Sequence, residues 1–252
     1  MKLGDFELPR IGLGTNRLTN AAGNIAFVKA AVDAGVRMID TAHSYTGGES
    51  EATIGEALDP IPEGCVVATK GGAGGAGRGR PEVLSAEIEE SLRRLGTDSI
   101  ALYYLHRVDP ETPLEDSLAV IKEYQDRGKI RHVGISAVTI DQIERARRVL
   151  TVAAVQNQYN LSERKHDPEV DYCTREEILF VPYSPLRADG GGAVAEVARR
   201  HQATPRQIML AWLLRRSPAM LPIPGTLSLE HLKENLAAMD IQLTDADYET
   251  LR

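Results

Sequence analysis

The chain has 252 residues, 42% of them hydrophobic and 26% charged, with a formal net charge of −7 and pI ≈ 5.5. A chain of this length buries roughly 70% of its unfolded surface, and its acidic balance excludes the basic face of a nucleic-acid binder and any attraction to an anionic membrane. Cys65 and Cys173 are too few for a disulfide framework or a Cys-rich metal site and read as small reduced apolar residues. The N-terminus lacks the apolar core of a signal peptide, and the longest apolar run, 208–214, falls short of the ~18 residues of a membrane span. The expectation is a soluble cytoplasmic protein.

In chain order, strands are expected at 10–15, 37–40, 66–70, 100–106, 130–136, 153–159, 178–184 and 220–224. Most are almost continuously apolar, as strands covered on both faces must be. Helices are expected between them, at 24–35, 47–58, 81–96, 114–128, 139–150, 170–177, near 191, at 204–217 and 228–240, with a short one at the C-terminus. In 81–96, Leu84, Ile88, Leu92 and Leu95 share one stripe, acids come early, arginines late, and Gly96 ends the run. The run from Thr204 opens Thr-Pro-Arg-Gln, a capping box with proline at the first helical position.

Eight strand–helix units are the count of a TIM (β/α)8 barrel, here a single α/β domain over 1–252. An open doubly wound sheet is the alternative, but Gly12-Leu13-Gly14-Thr15 lacks the third glycine of its fingerprint. The Gly-rich stretch 71–80 reads as a flexible loop rather than a phosphate cradle.

The apolar runs stop at Thr15, Asp40, Lys70, His106, Ser136, Gln156 and the pair Tyr183-Ser184, then at Pro224-Gly225. In a parallel barrel these ends share one face, where the active site forms. Singly, each has an ordinary explanation, such as a helix cap or a packed ring. Together, Asp40, Tyr45, Lys70 and His106 suit protonation of an oxygen that becomes an alkoxide as hydride reaches carbon. A lysine ammonium is expected to lower the phenol pKa of Tyr45, and a carboxylate to hold the lysine. No G-x-S-x-G elbow suggests acyl transfer, and no ligand set at metal spacing accompanies His43 and His106.

These residues sit in segments that resemble the aldo-keto reductase family along essentially the whole chain: GLGTNRL at 12–18, MIDTAHSYTGGESEATIGEAL at 38–58, VVATK at 66–70, DSIALYYLHRVDP at 98–110, GKIRHVGIS at 128–136, VQNQYN at 155–160, FVPYSPL at 180–186 and LPIPGTLSLEHLKENL at 221–236. The resemblance implies a TIM barrel that reduces aldehydes or ketones with NADPH, without a Rossmann domain. It implies a catalytic tetrad of Asp40, Tyr45, Lys70 and His106, with Tyr45 as general acid. It places Ser136 and Gln156 on the nicotinamide carboxamide and Tyr183 stacked on its ring, with Gly14, Thr15 and Asp40 as further cofactor-binding residues. Ser184 and Leu186 fall on the pyrophosphate side. Gly225, Thr226, Leu227, Ser228, His231, Glu234 and Asn235 fall on the adenosine-phosphate segment. Arg17, Tyr45, His106 and Arg107 are the substrate-binding candidates, with His43 as a further pocket-lining residue.

The sequence departs from the family at three places. Ala137 stands where relatives carry Asn after the nicotinamide serine, which removes an amide contact. Gly225 and His231 stand where many relatives carry Lys and Arg for the 2′-phosphate, which implies NADPH with weakened discrimination against NADH. The short stretch between Tyr183 and 191, and the end at Arg252, imply an open pocket for small carbonyl substrates. The competing readings are a nicotinamide-binding regulatory or sensor subunit and a metal-dependent barrel isomerase. A monomer or weak homo-oligomer is expected.

Overall fold

The computed structural model describes residues 1–187 and 191–251. A two-stranded hairpin, β1 (Lys2–Leu3) and β2 (Phe6–Glu7), precedes the barrel. Sequence patterning missed it because each strand has only two residues. The barrel strands are β3 (Leu13–Gly14), β4 (Met38–Asp40), β5 (Val66–Gly71), β6 (Ile100–Leu105), β7 (Ile130–Ser136), β8 (Val152–Gln156) and β9 (Leu179–Phe180). They pair in parallel in that order.

The eighth position expected at 220–224 does not form a continuous strand. It bridges Met220 to Phe180 on one side and Gly225 to Gly14 on the other. Gly12 N donates to Pro222 O at 3.0 Å and Gly14 N to Pro224 O at 3.3 Å. Pro222 and Pro224 have no N–H to return, so the segment closes the barrel while donating little to its ladder.

The helices are α1 (Ala22–Asp33), α2 (Glu49–Ala57), α3 (Pro81–Leu95), α4 (Leu114–Asp126), α5 (Ile140–Arg147), α6 (Asp167–Arg175), α7 (Gly191–Arg200), α8 (Pro205–Arg216), α9 (Leu229–Ala237) and α10 (Asp245–Thr250). The Thr204 capping box forms as expected: Thr204 Oγ1 accepts from Gln207 N, and the Gln207 side chain accepts from Thr204 N. Thr139 and Thr244 cap α5 and α10 in the same way.

The strands separate two apolar layers. Met38, Val66, Ala68, Leu102, Tyr104, Ala154 and Leu179 fill the barrel interior with Leu3, Phe6 and Leu8 from the N-terminal segment. Ile39, Val67, Tyr103, Leu105, Val155 and Phe180 face the helices. This is the period of two that every barrel strand must keep. Gly134 is an interior position where only glycine fits, because a Cβ would lie 2.4 Å from the Tyr104 ring and 2.9 Å from Ala154 O.

The stretch 71–80 is not the loose loop the composition suggested. The Asp109 carboxylate, in the loop after β6, accepts from Gly77 N at 3.0 Å and Gly79 N at 2.8 Å. Glu87 of α3 accepts from Gly72 N and pairs with Arg78. Both cysteines are free and buried, and burial raises their thiol pKa values, Cys65 to about 11 and Cys173 to about 12. Among the described residues no helix is long and apolar enough to cross a membrane.

Candidate active site

The interior alternation of the strands decides which polar side chains meet. One step of two residues beyond Met38, Ala68, Tyr104, Gly134 and Ala154 come Asp40, Lys70, His106, Ser136 and Gln156. All five are buried at the same end of the barrel. Tyr45 reaches that end from the loop after β4, in a short 3-10 turn at Tyr45–Gly48.

Lys70 is fully enclosed. Its Nζ donates to Asp40 Oδ1 at 2.6 Å, to Thr41 O at 2.7 Å and to the Tyr45 hydroxyl at 3.4 Å. Gln156 Nε2 donates to Asp40 Oδ2 at 2.8 Å, so both carboxylate oxygens are engaged. Tyr45 and His106 meet edge to face, with ring centroids 5.9 Å apart. The four residues of the expected tetrad therefore form one connected group.

Two electrostatic consequences follow. The pKa of Tyr45 is raised, with burial as the main cause, Lys70 pulling it down and Asp40 pushing it up. The lowering expected from Lys70 is thus present but outweighed, because removing a phenolate from water costs more than one ammonium at 3.4 Å returns. Tyr45 is consequently fully protonated at neutral pH. His106 is driven down to about 3 by burial first, then by Lys70 and Arg107, so it is neutral. Its Nδ1 is buried without a hydrogen-bond partner among the described residues.

A cavity of about 630 Å³ opens above this group. Gly14, Thr15, Arg17, Asp40, Tyr45, His106, Arg107, Gln156, Tyr183, Ser184, Leu186 and Gly225 all line it. Lys70 sits beneath the lining, and Ser136 reaches it only through Arg107, whose Nη1 donates to Ser136 Oγ at 3.2 Å. Pro224, the last strand end named from the sequence, lines the cavity; Asn16, Pro185, Arg187 and Ile223 also line it and were not singled out in the sequence, adjacency to the named strand ends being their only signal.

His43 is placed differently from expectation. It turns toward α3, with Nε2 2.9 Å from Glu90 Oε2, and does not line the cavity. The acids of α3 win it because they offer a charged partner on the helix side of the β4 loop.

Beyond Gly225 the segment leaves the cavity rim. Thr226 Oγ1 accepts from Ser228 N at 3.0 Å, and Ser228 caps α9 by accepting from His231 N. Leu227 is exposed, His231 lies at the surface, and Asn235 is buried. Glu234 accepts from Thr204 Oγ1 at 2.5 Å, so α9 is tied to the start of α8. Residues of α10 pack against α8 through Tyr248 on Trp212 and do not line the cavity.

The chain matches the Aldo/keto reductase family over residues 10–191 and 187–252. It belongs to that family and is an oxidoreductase. Pyridoxine 4-dehydrogenase of Escherichia coli is 36% identical to it, over 99% of this chain and 96% of that protein. A thermostable aldo-keto reductase crystallised with the inhibitor epalrestat superimposes with a TM-score of 0.92 at 32% identity, covering 100% of this chain and 97% of the other. An aldo/keto reductase from Klebsiella pneumoniae, crystallised with NADP and acetate, gives 0.87 at 29% identity, covering 97% and 90%. These aldo-keto reductases share the barrel described here.

Among the described residues of this aldo-keto reductase no group of three or more His, Cys, Asp or Glu is placed to hold a metal ion.

Proposed function

We propose that this aldo-keto reductase reduces small aldehydes or ketones with NADPH, and that Tyr45 protonates the carbonyl oxygen. The observation that carries the reading is the Tyr45 hydroxyl 3.4 Å from Lys70 Nζ, beside neutral His106, on the wall of the cavity that gathers the strand-end residues.

The residues fit a nicotinamide dinucleotide. Tyr183 offers a flat face in the cavity, His106 Nδ1 is buried without a hydrogen-bond partner among the described residues, and the cavity runs on past Ser184 to Gly225. Ser136 and Gln156 would hold the carboxamide, with Gly14, Thr15 and Asp40 at their side. Ser184 and Leu186 would lie along the pyrophosphate. Gly225, Thr226, Leu227, Ser228 and His231 would meet the adenosine phosphate, and Glu234 and Asn235 the adenine. The Klebsiella relative's NADP complex supports this cofactor. When bound, the cofactor supplies the hydride that reaches the carbonyl carbon.

The chain's own groups handle the proton. Tyr45 keeps its proton at neutral pH and gives it to the oxygen as negative charge develops there. Lys70, hydrogen-bonded to Asp40, stabilises the phenolate left behind. Neutral His106 orients the carbonyl by a hydrogen bond. The complete tetrad weighs against a purely regulatory subunit. The setting inferred is cytoplasmic, with the 1–252 barrel acting as a monomer or weak homo-oligomer.

Tyr45→Phe is the test. Turnover of an aldehyde should fall about 10²–10⁴-fold while NADPH binding is unchanged; an unaltered rate removes Tyr45 from the reaction. Titration with both cofactors should give tighter binding of NADPH by a modest factor, and NADH binding as tight would overturn the NADPH assignment.

A further inference from the structure

We infer that the preferred substrates are carbonyl compounds bearing an anionic group within a few atoms of the carbonyl, and that Arg107 receives that group. This rests on the reductase reading above and narrows its substrate class.

Among the described residues, the cavity lining carries three guanidinium groups, Arg17, Arg107 and Arg187, and one carboxylate, Asp40. Asp40 has nothing left to offer them: Lys70 takes Oδ1 at 2.6 Å and Gln156 takes Oδ2 at 2.8 Å. None of the three arginines pairs with a carboxylate among the described residues. The chain as a whole carries −7, so this concentration of uncompensated positive charge runs against the overall balance.

Arg17 and Arg187 are exposed, and an exposed arginine alone is ordinarily a solvated side chain. Arg107 is different. It is half-buried, its Nη1 donates to His106 O at 2.8 Å and to Ser136 Oγ at 3.2 Å, and its guanidinium lies 5.7 Å from the centre of the Tyr183 ring. Both acceptors are neutral, so the group is fixed in place with its charge unmatched. Nε and Nη2 make no hydrogen bond among the described residues. A planar fork held on one side and free on the other suits an oxyanion, which takes two parallel N–H donors.

Its place decides which anion. Arg107 follows His106 directly, and the His106 ring meets the Tyr45 ring at 5.9 Å. The charge acts on the reacting groups: after burial and Lys70, Arg107 is the third cause holding His106 low, and it also pulls Tyr45 down. An anion there belongs to the molecule being reduced. The phosphates of a cofactor are the other source of the same chemistry, and the test separates them.

The probes are 3-carboxybenzaldehyde and its methyl ester, which differ in charge at nearly constant shape. The quantity read is the ratio of kcat/KM for acid over ester, which cancels any effect common to both. In the native protein the ratio should exceed about 10 and fall as ionic strength rises. In Arg107→Met it should drop at least tenfold, with Arg107→Lys in between, thermal unfolding confirming that each variant folds. A native ratio at or below one, or a ratio unmoved in Arg107→Met, overturns the inference and leaves the reductase reading standing. An unmoved ratio with NADPH binding weakened tenfold assigns the guanidinium to the cofactor and likewise overturns it. Reduction of neither probe removes the reductase reading itself, and this inference with it.

Discussion

Lys70 Nζ lies 2.6 Å from Asp40 Oδ1, and both side chains are buried. Removing one partner of such a pair leaves an uncompensated buried charge and costs about 3–5 kcal/mol, while removing both costs far less. Lys70→Met should therefore unfold at lower denaturant than the double variant Lys70→Met, Asp40→Asn, although neither turns over. Equal midpoints for the single and double variants would mean that the two groups are not energetically coupled.

His106 should carry no charge through the working pH range. Its folded pKa is about 3 against an ordinary 6.5, so the unfolded chain binds a proton between those values that the native protein refuses. Stability from this group is full above pH 6.5 and is lost as pH falls toward 3. The His106 imidazole resonances should stay in their neutral position down to about pH 4. Titration near 6.5 would remove the neutral hydrogen-bond donor from the mechanism.

Glu51 is fully buried and ties two parts of the site together. It accepts from Thr69 Oγ1 at 2.6 Å, next to Lys70, and from Arg94 Nη1 at 3.2 Å, which also donates to His43 O at 3.1 Å, two residues before Tyr45. Glu51→Gln should lower kcat about tenfold with KM little changed, and cost about 1–3 kcal/mol of stability. A variant destabilised by that amount but with native kcat would limit Glu51 to holding the fold.

Ala137 has φ 56°, the left-handed region, where a residue with a Cβ is strained by about 1–2 kcal/mol and Asn is tolerated. Ala137→Asn should raise the melting temperature and tighten NADPH binding several-fold by supplying a side-chain amide beside Ser136. Ala137→Gly removes the Cβ without adding that amide, so it should leave NADPH binding unchanged. Identical cofactor affinities for Asn and Ala would mean that no amide contact is gained.

Much of this was legible because strand chemistry is local. A run such as Met38-Ile39-Asp40 or Val66–Lys70 is apolar until one polar residue ends it, and that residue lies at the strand's carboxyl end in any parallel barrel. Asp40, Lys70, His106, Gln156 and Tyr183 were visible in this way, whereas Tyr45 came from the family resemblance and the Thr204 cap from its Thr-Pro-Arg-Gln opening. The closing segment misled because Pro222 and Pro224 sit in an apolar run yet cannot donate to a ladder. The hairpin at Lys2–Glu7 was too short to show a period.

The sequence by itself determined the alternation of strands and helices, the polar terminus of each strand and the family, because these depend on residue type and spacing along the chain. Only the tertiary structure decided what those termini do to one another. Barrel closure sets Lys70 against Asp40 and beneath Tyr45, and burial then outweighs the lysine in setting the phenol's pKa. It also turned His43 out to Glu90 and fixed Arg107 between His106 O and Ser136 Oγ. Charge balance inside a cavity depends on which groups face each other and how much water they lose, and neither quantity is written in the order of residues.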